Sequence, residues 1–270
     1  MATTKKSLSV ALNARTAGSG TETIVLAHGY GMDQSLWDKI LPLLAENYTL
    51  VMFDWPFSGT VSDERLYDPV KYSSLEGFSD DLITLMSEMD LKAVTFVGHS
   101  MSGIIGCIAS VKMPHLFKRL ILTGASPRFQ NSDDYEGGFN NSDIEQLLSM
   151  IETNFENFAS AFASAIADPS NASSVDKMEK SLKRMRPEVA LSLAKTVFYS
   201  DWREILDKVH TPCTIIQTTK DAAVPHSVVL YMEKKIKGKV TLETIDTIGH
   251  FPQLTAHLKF VEVLKAAMGS

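Results

Sequence analysis

Apolar, β-branched runs alternate with helical patterns along this chain, and the alternation lapses over roughly seventy central residues before it resumes. Small-residue turns after three of the runs carry a serine, an aspartate and a histidine, in that order. Together these observations predict an α/β fold: a mostly parallel sheet flanked by helices, with a helical cap inserted into it.

The elements follow in order. Thr23 to Ala27 is a continuous apolar strand, Ser35 to Glu46 a helix, and Thr49 to Phe53 the next strand. Leu75 to Met89 has helical spacing, Ala93 to Val97 is a strand, Met101 to Lys112 a helix, and Arg119 to Thr123 a strand. From Ser126 to about Ser200 nothing reads as a strand; polar turns precede helical patterns at Ile144 to Ile151, Phe155 to Ile166, Val175 to Met185 and Glu188 to Tyr199. The sheet pattern resumes with a strand over Cys213 to Thr218, a helix near Ser227 to Ile236, a strand over Val240 to Ile245, and a closing helix from about Ala256. Residues 1–125 and 201–270 are therefore assigned to the core, and 126–200 to the cap.

Composition narrows the possible partners. With 270 residues, 44% hydrophobic and 21% charged, the chain suits one domain with an insertion. A formal charge of −6 opposes binding to a polyanion, and the basic stretch Lys177 to Arg186 is broken by Glu179, Leu182 and Met185, so no nucleic-acid partner is expected. The first twenty residues are polar and interrupted by Gly18 and Gly20, and no apolar run approaches the roughly 18 residues that span a bilayer. A cytoplasmic or nuclear protein without a membrane partner is the expectation. Cys107 and Cys213 stand alone in apolar segments and read as buried, reduced thiols. No cluster has metal-ligand spacing, and neither the Gly-x-Gly-x-x-Gly nor the Walker phosphate pattern occurs, so no metal or cofactor is expected.

The chemistry concentrates in three turns. In Gly98-His99-Ser100-Met101-Ser102 a strand breaks into a helix, the sharp turn that lifts a serine hydroxyl above a sheet; Ser102 stands where glycine is usual. Gly and Ser also fill ordinary βα turns, so partners decide the matter. A serine hydroxyl needs an imidazole to take its proton and a carboxylate to orient that imidazole. Asp221 follows the strand at Thr214 to Gln217, and His250 follows the next strand within Ile248-Gly249-His250-Phe251-Pro252. Each alone reads as a turn or surface residue. Their order, each at a strand's carboxyl end, is the one expected of an α/β-hydrolase architecture with Ser100, Asp221 and His250 as catalytic residues. Oxyanion donors are expected from the backbone N–H groups of Tyr30, in the turn His28-Gly29-Tyr30-Gly31, and of Met101. His28 and His99 read as residues that hold their turns.

At Gly98-His99-Ser100-Met101-Ser102, with Phe53-Asp54-Trp55-Pro56-Phe57-Ser58-Gly59 upstream, the chain resembles the plant karrikin and strigolactone receptor-type α/β-hydrolases. Further blocks agree: Ser126 to Phe139 at the opening of the cap, Asp221-Ala222-Ala223-Val224-Pro225, and Gly249 to Leu254. Gly98 to Cys107 and Ser181 to Glu188 are most similar to the DWARF-FOURTEEN-LIKE group of that family. The resemblance spans nearly the whole chain. It implies a four-helix cap over an apolar pocket, slow hydrolysis of a small butenolide-type ligand, and signalling through an F-box protein and Clp-ATPase-like repressors.

By the same resemblance the pocket side chains fall on Tyr30, Phe129, Phe139, Phe162 and Phe198, with Leu147 and Phe251 nearby. Tyr30 replaces a phenylalanine, and its buried hydroxyl needs a partner. Phe129 stands where some relatives carry tyrosine. Aromatic residues at helical spacing often only join helices, so about four of these side chains are expected to face a ligand. Two other functions remain open on sequence: a general carboxylesterase with no receptor role, and a binding module whose triad is vestigial.

Overall fold

The computed structural model describes residues 7–269, so the first six residues of the polar amino-terminal stretch lie outside it. A short helix α1 (Leu8–Ala11) and a strand β1 (Arg15–Ala17) precede the first predicted strand, which is β2 (Glu22–Ala27). The helix expected from Ser35 to Glu46 is two pieces, a 3₁₀ turn over Gln34–Trp37 and α2 (Leu41–Leu44). Pro42 explains the break, because it has no N–H to donate and its ring would crowd the carbonyl of Asp38 in one continuous helix. Then come β3 (Tyr48–Met52), α3 (Leu75–Glu88), β4 (Val94–His99), α4 (Met101–Lys112) and β5 (Phe117–Thr123).

Between β5 and the next strand lie four helices, α5 (Asn141–Thr153), α6 (Phe155–Ile166), α7 (Ala172–Lys183) and α8 (Pro187–Tyr199). Their starts are written in the sequence. Asn140 and Asp143 form a reciprocal capping box, Asn154 and Asn171 accept from the third N–H of their helices, and Pro187 opens α8 where its missing N–H costs nothing. The chain returns through β6 (Cys213–Lys220), α9 (His226–Lys235), β7 (Val240–Ile248), α10 (Pro252–Thr255) and α11 (His257–Met268). The closing helix expected from Ala256 therefore has a separate turn ahead of it.

Among the described residues the sheet has seven strands in the order β1-β3-β2-β4-β5-β6-β7, with β1 antiparallel to β3 and every other pair parallel. All six residues of β4 are buried, as a strand covered by helices on both faces must be. β1 escaped the sequence reading because three residues at a sheet edge, two of them exposed, carry no period.

The strand order also fixes where a site can form. From β2 the chain turns outward to β3, then crosses back to place β4 on the other side of β2. The loops after β2 and β4 thus diverge and leave a crevice at the carboxyl ends of these strands. His28 to Asp33 follow β2, Ser100 follows β4, Asp221 follows β6 and His250 follows β7, all at that end of the sheet.

Candidate active site

Ser100 is the hinge between β4 and α4, with φ 56° and ψ −125°. A non-glycine residue there carries a backbone strain of about 1–3 kcal/mol, and the surroundings must enforce it. Its N–H donates to the Thr123 carbonyl at 2.8 Å, and its carbonyl accepts from Gly103 N–H at 2.9 Å. The side chain lines an interior chamber, and the residue is 8% exposed.

Asp221 and His250 meet across the loops after β6 and β7. The Asp221 Oδ1 accepts from the N–H groups of Ala223 (2.8 Å) and Val224 (3.2 Å), which leaves Oδ2 facing His250 Nδ1 at 2.8 Å. A carboxylate only accepts, so Nδ1 carries the proton and Nε2 keeps a lone pair. The backbone of His250 is held on both sides. Its N–H donates to the carbonyl of Ile166 at the end of α6, 2.8 Å away, and its carbonyl accepts from His99 Nε2 at 2.9 Å. His99 stacks on Phe251 with ring centroids 4.7 Å apart, and burial, reinforced by the neighbouring His250, pushes its pKa well below the usual histidine value. Its ring is therefore neutral, with the proton on Nε2.

The turn after β2 supplies the other face. A Cβ on Gly29 would stand 2.9 Å from both Ser100 Cβ and His99 Nδ1, so only glycine lets this loop approach the serine. His28, fully buried, anchors the turn: Trp55 N–H donates to its Nε2 at 3.1 Å, and its Nδ1–H donates to the Gly29 carbonyl at 3.1 Å. Its carbonyl accepts from Ser102 Oγ at 2.5 Å and from Trp55 Nε1 at 3.0 Å. Burial lowers the pKa of His28 also, so it stands as a neutral brace rather than a base. Among the described residues neither the Tyr30 N–H nor the Met101 N–H donates to a protein acceptor. Met101 opens α4, where backbone N–H groups have no partner inside the helix. Two free donors beside a serine are what a developing oxyanion requires.

Tyr30, Phe129, Phe139, Phe162, Phe198 and Phe251 line the chamber together with Ser100, His99 and His250. Leu147 does not line it: this residue of α5 lies beside the buried stripe Ile144, Leu148 and Ile151 and packs against the core. Ile166, Met178, Val197 and Ala223 complete the wall, and sequence reasoning named none of them. The Phe129, Phe139 and Phe198 rings lie with centroids 5.3 to 6.4 Å apart, and Tyr30 meets Phe162 edge-on at 5.9 Å. The Tyr30 hydroxyl donates to the Ala190 carbonyl on α8 at 3.1 Å, and burial raises its pKa, so it stays protonated. The chamber is narrow: the space open to the centre of a water-sized sphere is about 30 Å³. Cys107 and Cys213 are buried free thiols, and burial pushes the Cys213 pKa up to about 12. Among the described residues no group of three or more His, Cys, Asp or Glu side chains could hold a metal ion.

Comparison with known proteins agrees with this geometry. Residues 22–256 match the family model described as the alpha/beta hydrolase fold. The chain is 40% identical over 258 residues to the strigolactone esterase D14 of Arabidopsis thaliana, covering 96% of each. It is also 40% identical over 254 residues to the karrikin insensitive 2 receptor IA of Petunia hybrida, covering 94% of this chain and 92% of that one. Among solved structures, a hydrolase from Oleispira antarctica superposes with a TM-score of 0.89 at 31% identity, covering 96% of both chains. A match spanning the strands that present Ser100, Asp221 and His250, joined to relatives of this identity over nearly the full length, settles the kinship: the chain belongs to the α/β hydrolase fold family, among its strigolactone- and karrikin-receptor type members.

Proposed function

We propose that this protein binds a small butenolide lactone or related ester in its capped chamber, hydrolyses it slowly with Ser100, and uses ligand occupancy or turnover as a signal. The observation that carries the reading is the Asp221–His250 bond at 2.8 Å, on the wall of an apolar chamber that also presents Ser100. Ser100 Oγ attacks the ligand carbonyl while His250 Nε2 takes its proton, and Asp221 steadies the resulting imidazolium. The Tyr30 and Met101 N–H groups hold the oxyanion. Collapse breaks the acyl C–O bond, and His250 returns the proton to the departing oxygen. Water then enters by the same route, and Ser100 is released.

Slow turnover accords with a narrow chamber walled by cap and core residues together, because movement of the cap helices then gates ligand entry and product release. The names of the relatives support an ester or lactone substrate and a receptor role. On this reading an F-box protein and a Clp-ATPase-like repressor are the signalling partners, in the cytoplasm or nucleus. No described helix is long and apolar enough to cross a membrane.

Intact-protein mass spectrometry after incubation with a racemic butenolide analogue tests the proposal. An acyl-type adduct on Ser100 or His250, absent from Ser100→Ala, is expected. Undiminished hydrolysis of a p-nitrophenyl ester by Ser100→Ala would remove the triad assignment. A ligand-induced melting shift that survives in that variant, with no adduct on the wild type, would indicate a binding module instead.

A further inference from the structure

The loop that offers the Tyr30 N–H is fastened to the cap three residues further on. Asp33 is 2% exposed, and its carboxylate has a partner from each side of the cap–core seam. Oδ1 accepts from Ser35 N–H at 2.8 Å within its own loop. Oδ2 accepts from the Nη2 of Arg184, the C-cap of α7, and from the Oγ of Ser181 in its last turn, 3.3 Å away. Burial would raise the Asp33 pKa, yet the Ser35 bonds and the Arg184 charge hold it below the usual carboxylate range.

The same turn of α7 presses on the loop directly. Gly31 has φ +74°, and a Cβ there would lie 2.4 Å from Leu182 Cδ2. The loop is thus caught between Leu182 above and the serine elbow below, where Gly29 leaves no room for a Cβ either. A loop gripped at Gly29, Gly31 and Asp33 cannot change its relation to α7 without moving the amide of Tyr30.

We propose that Arg184 is a positioning residue for the hydrolytic reaction, which acts through its ion pair with Asp33 to hold the Tyr30 amide where the oxyanion forms. The inference rests on the serine-hydrolase reading above. Its mechanical content is that the cap, when docked through Arg184, completes the oxyanion hole, and when undocked leaves a donor misplaced. Misplacement of a reacting group by about 1 Å can cost on the order of 100-fold in rate. The Arg184 side chain is 45% exposed, so its replacement opens no buried void.

The test compares Arg184→Gln, Arg184→Lys and the double variant Asp33→Asn/Arg184→Gln with wild type on p-nitrophenyl acetate, and measures inhibition by phenylboronic acid. Boronate forms a tetrahedral adduct on the serine and sets an oxygen in the oxyanion hole, so its affinity reports that hole rather than general stability. Arg184→Gln is expected to lower kcat roughly ten- to 100-fold with KM within about twofold, and to weaken boronate by a similar factor. Arg184→Lys keeps the charge and is expected to recover much of both. The double variant removes the uncompensated buried carboxylate, so it should fold even if Arg184→Gln does not, and should show the same kcat loss. Wild-type kcat and boronate affinity in Arg184→Gln and the double variant overturn the proposal, as does a kcat loss with boronate affinity intact. A wild-type enzyme with no Ser100-dependent turnover overturns the underlying hydrolase reading instead.

Discussion

The Ser102 hydroxyl donates to the His28 carbonyl at 2.5 Å, which ties the second residue of α4 to the turn after β2. Trp55 Nε1 donates to both atoms, at 2.9 Å to Ser102 Oγ and 3.0 Å to the His28 carbonyl. Three strands' worth of loops therefore share one buried polar knot, built on the residue after Met101 and the residue two before Tyr30. The departure from Gly-x-Ser-x-Gly is thus an added fastening: a hydroxyl occupies the space that glycine would leave empty.

Replacing Ser102 should loosen that fastening. Ser102→Ala loses the bond to His28, while Trp55 Nε1 keeps one acceptor, so a stability loss of about 1 kcal/mol is expected. Ser102→Gly restores the common motif but adds backbone entropy in a helix, for a loss of about 2 kcal/mol. Urea denaturation measures both. If Ser102→Gly is as stable as wild type, the knot has no energetic role.

Ser100 stores strain that substitution can release. Its φ of 56° penalises any side chain, and glycine tolerates it. Ser100→Gly is expected to be more stable than Ser100→Ala by about 1–2 kcal/mol, with ester hydrolysis absent from both. Equal unfolding midpoints for the two variants would mean that the elbow is unstrained in solution.

The candidate triad was legible in the order of its three residues rather than in any one turn. Ser100, Asp221 and His250 each follow a strand, β4, β6 and β7, and it is their succession at three strand ends that carries the reading. The chamber wall is different. Met178 lies on the buried stripe Ser174, Met178, Ser181 and Leu182 of α7, and Leu147 lies half-buried beside the stripe of α5, yet of the two only Met178 reaches the chamber. Helical periodicity tells which face is apolar but not whether that face meets a cavity or a neighbouring helix; the rotation of each cap helix about its axis decides this, and tertiary packing sets it. The Asp33–Arg184 pair escaped for the same reason, since its partners are 151 positions apart.

Stability should fall on mild acidification. His28 and His99 are both buried with pKa values below the ordinary 6.5, so the unfolded chain binds protons that the folded chain refuses. Their contribution is present above pH 6.5 and is lost as pH drops below it. Between pH 7.5 and 5.5 the unfolding free energy is expected to decrease. Asp33 and Glu22, whose pKa values are lowered, act only below the carboxylate range and leave this window untouched. Urea midpoints at the two pH values check the sign, and a more stable protein at pH 5.5 would contradict it.

Asp221→Asn tests the proton inventory of the site most directly. In the wild type the carboxylate accepts from Ala223 and Val224 on one oxygen and from His250 Nδ1 on the other. An asparagine can keep its oxygen on the two backbone donors, but its NH₂ then faces Nδ1 and donates to it. The imidazole proton is driven to Nε2, which can no longer receive the Ser100 proton. Turnover at neutral pH is expected to fall on the order of 10⁴-fold, with the unfolding midpoint almost unchanged because the number of hydrogen bonds is preserved. Loss of activity accompanied by a large fall in stability would instead make Asp221 a loop-stapling residue. A kcat within tenfold of wild type would show that the 2.8 Å contact with His250 does not set its tautomer.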